Sequence, residues 1–344
     1  MTPDDQRTTP RDAMRPSDPP RQPEPKIELH VHLEGAVRPA TLLEIARRND
    51  VALPASTEAE LATLYEFRDF QRFLEVWVMT TNCLRTGEDF RQVVVDYAAE
   101  AAASGAVYLE GIFSPAERAI RGVGWDEIFT GFCDGADEAW ERHGVTVRFT
   151  PDITRSFDPD LGCEVARYAV RYRDRGVVGL GLGGPEADWP PRLYADAFAI
   201  AAEAGLGLVP HAGEAAGAES IREALKLGAH RLRHGIRAVE DPALLDEIVA
   251  RGVVLDVCPT SNLRTKVVSA LDQHPLPRLV AAGALCSIST DDPAMFNTDL
   301  AQEYAVAARL GVSPRLAYVA GLAGALCDDR TRARLTEIGT YWTS

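Results

Sequence analysis

The 344-residue chain has 36 lysine and arginine residues against 51 aspartate and glutamate residues, a formal net charge of −15, and is 46% hydrophobic. This is the composition of an ordinary globular protein that can bury a large core, and one (β/α)8 barrel with insertions uses about 250–400 residues. The acidic balance argues against nucleic acid or an anionic membrane as the main partner and leaves a small-molecule substrate open. Neither composition nor charge indicates an oligomeric state.

Residues 1–25 contain seven prolines, alternate aspartate with arginine and show no apolar periodicity. They predict a disordered tail ahead of one domain, residues 26–344. Six scattered cysteines form no C-x-x-C pair, and neither a signal peptide nor a transmembrane run precedes the domain. We therefore expect free thiols and a cytoplasmic protein.

From residue 26 onward, apolar runs alternate with helical patterns such as Phe90–Ala103 and Asp241–Ala250. The predicted strands are Lys26–His32, Val107–Ser114, Thr146–Thr154, Val177–Gly184, Leu206–Glu214, Arg231–Ile236, Val253–Asn262 and Leu285–Asp292. Eight such repeats predict an α/β fold, a (β/α)8 TIM-type barrel, with a doubly wound open sheet as the alternative.

The stretch from Pro39 to Gly105 separates the first two strands and is long enough for several extra helices. Its apolar residues are expected mostly to pack against the barrel, with one or two covering its mouth: Tyr65, Phe67, Phe70, Phe73, Leu74 and Trp77.

Metal-binding side chains close several of the predicted strands. His30 and His32 are two residues apart on one strand, so both point to the same side, while His211 and Asp291 end two later strands. Three imidazoles and one carboxylate suit a zinc ion that keeps an open position for water. The other histidines outside strand ends are predicted to be surface residues: His143, His230 and His274.

Three further polar residues accompany these ligands. Glu214 follows His211 by three residues, and an acid beside a metal in a dry pocket can have a raised pKa; the alternative is a helix cap. His234 also closes a strand, and a base or water-orienting role suits it better than ligation, because four ligands are already present. Asp292 adjoins Asp291 and is free to contact substrate, or the pair caps a turn.

Other classes of metal-dependent enzyme fit the sequence less well. The H-x-E and P-C-x-x-C motifs of one group of zinc deaminases are absent. Binuclear barrel hydrolases bridge two metals with a lysine, but no lysine lies between Lys26 and Lys226, and Lys226 falls in a helical pattern. One zinc ion per chain is therefore predicted.

Taken together, the motifs resemble those of the adenosine deaminase family of the amidohydrolase superfamily over nearly the whole chain except the tail. The motifs are His30-Val31-His32-Leu33-Glu34-Gly35, His211-Ala212-Gly213-Glu214, His234-Gly235, Cys258-Pro259-Thr260-Ser261-Asn262 and Ser289-Thr290-Asp291-Asp292-Pro293. The resemblance implies deamination at C6 of an aminopurine nucleoside by water whose pKa zinc lowers to about 7.

The resemblance also implies a role for each matching residue. His30, His32, His211 and Asp291 match the zinc ligands. Glu214 matches the acid that protonates N1, and His234 the residue that orients or deprotonates the water. Asp292 matches the residue bonded to N7, and Gly184 the backbone amide that reads N3.

Three departures from the adenosine-specific pattern bear on the sugar side of the substrate. Glu34 stands where such members carry an aspartate for the 5′-hydroxyl, Gly181-Leu182-Gly183-Gly184-Pro185 replaces an Asp-Leu-Ala-Gly-Asp pattern, and Arg233 replaces a glycine. They suggest adenosine or a 5′-modified adenosine, such as aminodeoxyfutalosine of a menaquinone route. The alternatives are an adenine deaminase, which also carries glutamate at the position of Glu34, another mononuclear metal hydrolase, or a purine-binding protein with a silent site.

Overall fold

The computed structural model describes residues 23–343, so most of the predicted tail lies outside the described residues. Its strands are β1 (Lys26–His32), β2 (Ala106–Ile112), β3 (Thr146–Phe149), β4 (Asp152–Thr154), β5 (Gly179–Gly183), β6 (Gly207–Ala212), β7 (Arg231–His234), β8 (Val254–Val257) and β9 (Cys286–Ile288).

The helices of the same part of the chain are α1 (Pro39–Arg48), α2 (Glu58–Leu64), α3 (Phe70–Thr81), α4 (Gly87–Ala103), α5 (Pro115–Ala119), α6 (Trp125–His143), α7 (Pro159–Arg171), α8 (Ala195–Glu203), α9 (Ala218–Lys226), α10 (Pro242–Arg251), α11 (Pro259–Arg264), α12 (Leu276–Ala281), α13 (Pro293–Phe296), α14 (Leu300–Arg309), α15 (Pro314–Gly324) and α16 (Asp329–Gly339). Across residues 23–343, no helix is both long and apolar enough to cross a bilayer.

All strands pair in parallel, in chain order, and the sheet closes on itself. The amide of Asp291 donates to the carbonyl of His30 at 3.0 Å, and the amide of His32 donates to the carbonyl of Asp291 at 2.7 Å, which joins the last strand to the first. β3 and β4 form one strand that is interrupted at Pro151, since proline has no N–H to donate. The predicted eight-stranded barrel is therefore confirmed.

The long connection after β1 holds α1 to α4, as the sequence predicts. α4 begins where Thr86 and Asp89 cap each other: the Thr86 hydroxyl accepts from the Asp89 amide at 3.2 Å, and the Asp89 carboxylate accepts from the Thr86 amide at 2.9 Å. Such reciprocal capping satisfies two amides that lack a partner within the helix. These helices place an apolar layer over one side of the barrel mouth.

Six predicted strands extend too far at their carboxyl ends, and three of these bear on the site. β8 ends at Val257 because Pro259 begins α11, where a proline at the first helical position loses no hydrogen bond. β6 ends at Ala212 and β9 at Ile288, so Glu214 and Asp291 lie in the loops that follow. Loops at this end of a parallel barrel converge on one pocket, which is where the chemistry of such folds occurs.

Candidate active site

Four ligand atoms converge at the carboxyl end of the barrel. Nε2 of His211 lies 3.1 Å from Nε2 of His30 and 3.2 Å from Nε2 of His32. Oδ1 of Asp291 lies 3.2 Å from Nε2 of His30 and 3.4 Å from Nε2 of His32. A tetrahedral ion with bonds of about 2.0–2.1 Å would separate its ligands by roughly 3.3 Å, so this set fits zinc.

The protonation of these side chains also suits a metal. Burial, more than any nearby charge, lowers the pKa of His30, His32 and His211 well below 6.5, so all three imidazoles are neutral, as ligands must be. Nδ1 of His211 lies 2.9 Å from the carbonyl oxygen of Leu182, which leaves Nε2 free to face the site.

His234 stands beside this group and faces the other oxygen of Asp291. Its Nε2 lies 3.7 Å from Oδ2 of Asp291 and 3.5 Å from Oε2 of Glu214, and its backbone is left-handed with φ of 62°. A non-glycine residue in this conformation costs on the order of 1 kcal/mol and is common at functional sites. His234 also lies close enough to His30, His211 and Asp291 to share a metal ion with them, so its orienting role rather than ligation stays a prediction.

Glu214 is buried in the loop after β6, and that loop is held by a second carboxylate. Glu186 accepts the amides of Gly213 at 2.5 Å, Glu214 at 3.1 Å, Ala215 at 2.9 Å and Ala216 at 2.9 Å. Burial raises the pKa of the Glu214 carboxyl well above 4.5, and the charges of Asp291 and Glu186 raise it further. A buried carboxyl whose pKa is raised can act as an acid, which is the role predicted for Glu214.

Replacing Glu186 with glutamine is expected to lower kcat by about 10²-fold, because an amide presents N–H groups to the loop amides and lets Glu214 move. Loss of the Glu186 charge also lowers the pKa of Glu214, so activity that needs its proton should decline at a lower pH than in the wild type.

The measurement is a pH profile of kcat for both proteins. Glu127→Gln is the matched control, since the exposed Glu127 carboxylate also accepts a backbone amide, that of Gly87 at 3.0 Å, far from the site. An unchanged kcat and profile in Glu186→Gln would contradict the role of this carboxylate.

Of the three residues that the resemblance assigns to substrate, two line the cavity and one does not. Asp292 and Gly184 line the cavity, and Gly184 has φ of 104°, which favours glycine. Glu34 does not line it; its Oε1 accepts the amide of Ser114, itself a lining residue, at 2.7 Å. The contact of Glu34 with a sugar hydroxyl stays a prediction.

Gly181 and Arg233 have a structural explanation that sequence reasoning missed. Arg233 forms an ion pair with Asp152 and donates to Oγ1 of Thr150 at 2.6 Å, and all three side chains are buried. A Cβ on Gly181 would collide with both Asp152 and Arg233. The interpretation of these two departures as sugar-side changes is corrected: they accommodate an ion pair beneath His211, whose Nδ1 lies 3.4 Å from Oδ2 of Asp152.

Sequence reasoning also misplaced one histidine. His274 is buried rather than on the surface, whereas His230 is exposed. Nε2 of His274 lies 3.2 Å from Oδ1 of Asn262, which in turn contacts His234. No periodicity in the sequence signals this, because His274 sits in an irregular segment before α12.

The ligand group opens into a cavity of about 580 Å³. One wall is polar and carries the residues described above, and the other wall is α3, which contributes Gln71, Arg72 and Glu75 besides its apolar residues. Four of the six apolar residues considered in the sequence line it, more than expected: Phe70, Phe73, Leu74 and Trp77. Tyr65 and Phe67 pack in the core instead. The cavity thus combines a polar end with a long apolar wall.

Comparison with known proteins gives a consistent result. The family model for adenosine deaminase matches residues 25–338. An aminodeoxyfutalosine deaminase of Acidothermus cellulolyticus is 59% identical over 327 residues, which cover 93% of this chain and 92% of that protein.

Solved structures of other proteins also resemble the chain, and two of them serve as examples. An adenine deaminase from Arthrobacter aurescens superposes with a TM-score of 0.88 at 32% identity, covering 93% of this chain and 99% of that one. A zinc-containing amidohydrolase from Burkholderia ambifaria has a TM-score of 0.84 at 25% identity, covering 93% and 90% of the two chains.

Proposed function

The chain belongs to the adenosine deaminase family and is a hydrolase that deaminates an aminopurine, and from this premise we propose that its substrate is aminodeoxyfutalosine and its metal zinc. The observation that carries the substrate is the relative at 59% identity, which bears that name, against 38% for an adenine deaminase of Chelativorans sp.. The activity would belong to menaquinone synthesis.

The shape of the cavity supports a 5′-extended nucleoside over a free base. Trp77 contacts the purine end, where its Nε1 donates to Oδ1 of Asp292 at 2.8 Å. The apolar wall of α3 continues from there through Phe73 and Leu74 to Phe70. Apolar surface of this extent is suited to burying an apolar substituent, whereas adenine alone would leave it exposed to water.

Each polar residue of the site would then perform one part of the reaction. Zinc on His30, His32, His211 and Asp291 would supply a water molecule ionised near neutral pH. Protonated Glu214 donates its proton to N1 of the ring, which makes C6 accept the oxygen. As the C6–N bond breaks, the amino group takes the proton of the new C6 hydroxyl and leaves as ammonia, so a carbonyl remains. The proton lost when the water ionises restores the Glu214 carboxyl.

Asp292 adds a second contact to the base. Burial raises the pKa of the Asp292 carboxyl well above 3.8, and the neighbouring charge of Asp291 raises it further. A carboxyl that stays protonated donates a hydrogen bond, so Asp292 would hold a ring nitrogen such as N7. Gly184 lines the same cavity, so its backbone amide would bind N3.

The test offers metal-free and zinc-loaded protein three substrates separately: aminodeoxyfutalosine, adenosine and adenine. We expect turnover only after zinc loading, with the highest kcat/KM on aminodeoxyfutalosine. A preference for adenosine or adenine would overturn the proposed substrate. Turnover of none of the three would overturn the deaminase site, and full activity without metal would overturn the role of zinc.

A further inference from the structure

A chain of hydrogen bonds runs from a backbone amide to His234, and its first member fixes the direction of all the others. The amide N–H of Leu276 donates to Nδ1 of His274 at 3.1 Å. A backbone amide can only donate, so Nδ1 of His274 carries no proton. The one proton of this ring is then on Nε2, 3.2 Å from Oδ1 of Asn262.

The next hydrogen bond in the chain joins Asn262 to His234 in the active site. Oδ1 of Asn262 accepts from His274, so the amide nitrogen Nδ2 faces the other way, 3.3 Å from Nδ1 of His234. Nδ2 is a donor only, and Nδ1 of His234 must accept. A neutral imidazole that accepts at Nδ1 carries its proton on Nε2.

The chain is shielded from water along its whole length. Asn262 is 0% exposed, His234 1% and His274 3%. With so little of these side chains exposed, each hydrogen bond depends on the next. The Nε2 side of His234 meets two carboxyl groups, with Oε2 of Glu214 at 3.5 Å and Oδ2 of Asp291 at 3.7 Å, which also suits an N–H at that position.

We propose that Asn262 and His274 are positioning residues that hold His234 in the Nε2–H form, so that His234 enters the reaction as a hydrogen-bond donor. The inference rests on the proposed deaminase site. A donor aimed at the attacking oxygen orients it and stabilises the charge that develops at C6, and does not require His234 to take a proton at the outset. This assigns the Cys258-Pro259-Thr260-Ser261-Asn262 motif a part in the chemistry through its last residue.

The decisive variant is Asn262→Asp, which keeps the size of the side chain and reverses its polarity. A carboxylate accepts from both histidines, so His234 must place a proton on Nδ1 and presents a lone pair, or a second charge, to the reacting atoms. We expect kcat to decrease by about 10²-fold, with KM changed less than about 3-fold, because a wrong tautomer chiefly affects the transition state.

Two histidine variants separate positioning from stability. His274→Ala removes the donor to Asn262 and should reduce kcat, whereas His274→Gln restores an N–H at the position of Nε2 and should recover much of the rate. His230→Ala is the matched control, since Nδ1 of His230 also accepts a backbone amide, that of Leu208 at 3.0 Å, away from the site. Its kcat should equal that of the wild type.

The second readout is ¹⁵N NMR of zinc-loaded protein with labelled histidine, which distinguishes protonated from unprotonated ring nitrogens without any turnover. We expect Nδ1 of His234 unprotonated in the wild type and protonated in Asn262→Asp. A protonated Nδ1 in the wild type, or wild-type kcat in Asn262→Asp, would overturn the inference. If no aminopurine is turned over by the wild type, the proposed function fails, while the spectrum still decides the tautomer.

Discussion

Replacing Glu214 with glutamine is expected to lower kcat by at least about 10³-fold while the bound metal is retained. Glutamine has nearly the same shape, but its amide cannot give up a proton to N1 of the ring. Glu214 is also outside the ligand group, so metal affinity should change little. Removing an interaction that is made only in the transition state lowers kcat and kcat/KM equally, and we expect this pattern for Glu214→Gln.

The measurement combines steady-state kinetics on aminodeoxyfutalosine with the zinc content of the purified variant. Glu219→Gln is the matched control, because Glu219 is exposed on α9 and pairs only loosely with Lys226 at 3.7 Å. It should keep full activity. Normal turnover by Glu214→Gln would eliminate Glu214 as the acid, and loss of zinc from it would show a different function for the carboxylate.

Sequence periodicity was sufficient for the features that depend on local structure. His30 and His32 share a face because side chains alternate along β1, His211 lies near the end of an apolar strand, and His234 ends the strand Arg231–His234. The order of eight strand and helix units then places their ends around one pocket. The predicted ligand group follows from these rules without any knowledge of tertiary contacts.

The features that the sequence did not indicate depend on contacts between residues that are far apart in the chain. Gly181 is small because Asp152 and Arg233 fill the space above it, a relation among three separate strands. Likewise, the burial of His274 depends on contact with Asn262 across α11 and the loop after it. A pattern in one segment cannot reveal a partner in another, so both were misinterpreted.

The charged side chains that are buried inside the barrel could not be predicted from the sequence either. Arg231 is fully buried, and its guanidinium lies 2.6 Å from Oε2 of Glu110 and 2.5 Å from Oδ2 of Asp256. It also donates to the carbonyl oxygens of Gly324 at 2.7 Å and Leu29 at 3.1 Å. One cation thus neutralises two carboxylates and links five elements: β1, β2, β7, β8 and the end of α15.

Replacing Arg231 with methionine is therefore expected to lower the free energy of unfolding by about 3–5 kcal/mol, because two buried carboxylates lose their counter-charge. Even beside Arg231, burial raises the pKa of Asp256 to about 6. Without the arginine that pKa rises further, and a raised pKa favours the folded state only while the group is protonated. The deficit relative to the wild type should thus grow as the pH increases from about 6 to 8.

Urea unfolding at pH 6 and pH 8 measures this deficit, with Arg251→Met as the matched control. Arg251 is exposed and pairs with Glu247 at 3.0 Å on the surface of α10, so its loss should cost less than about 1 kcal/mol. Adding Glu110→Gln and Asp256→Asn to Arg231→Met should recover part of the stability, since neutral amides do not need a cation. Equal stability of the Arg231 and Arg251 variants would mean that the buried carboxylates are neutral in the folded barrel, and that the arginine contributes packing rather than charge.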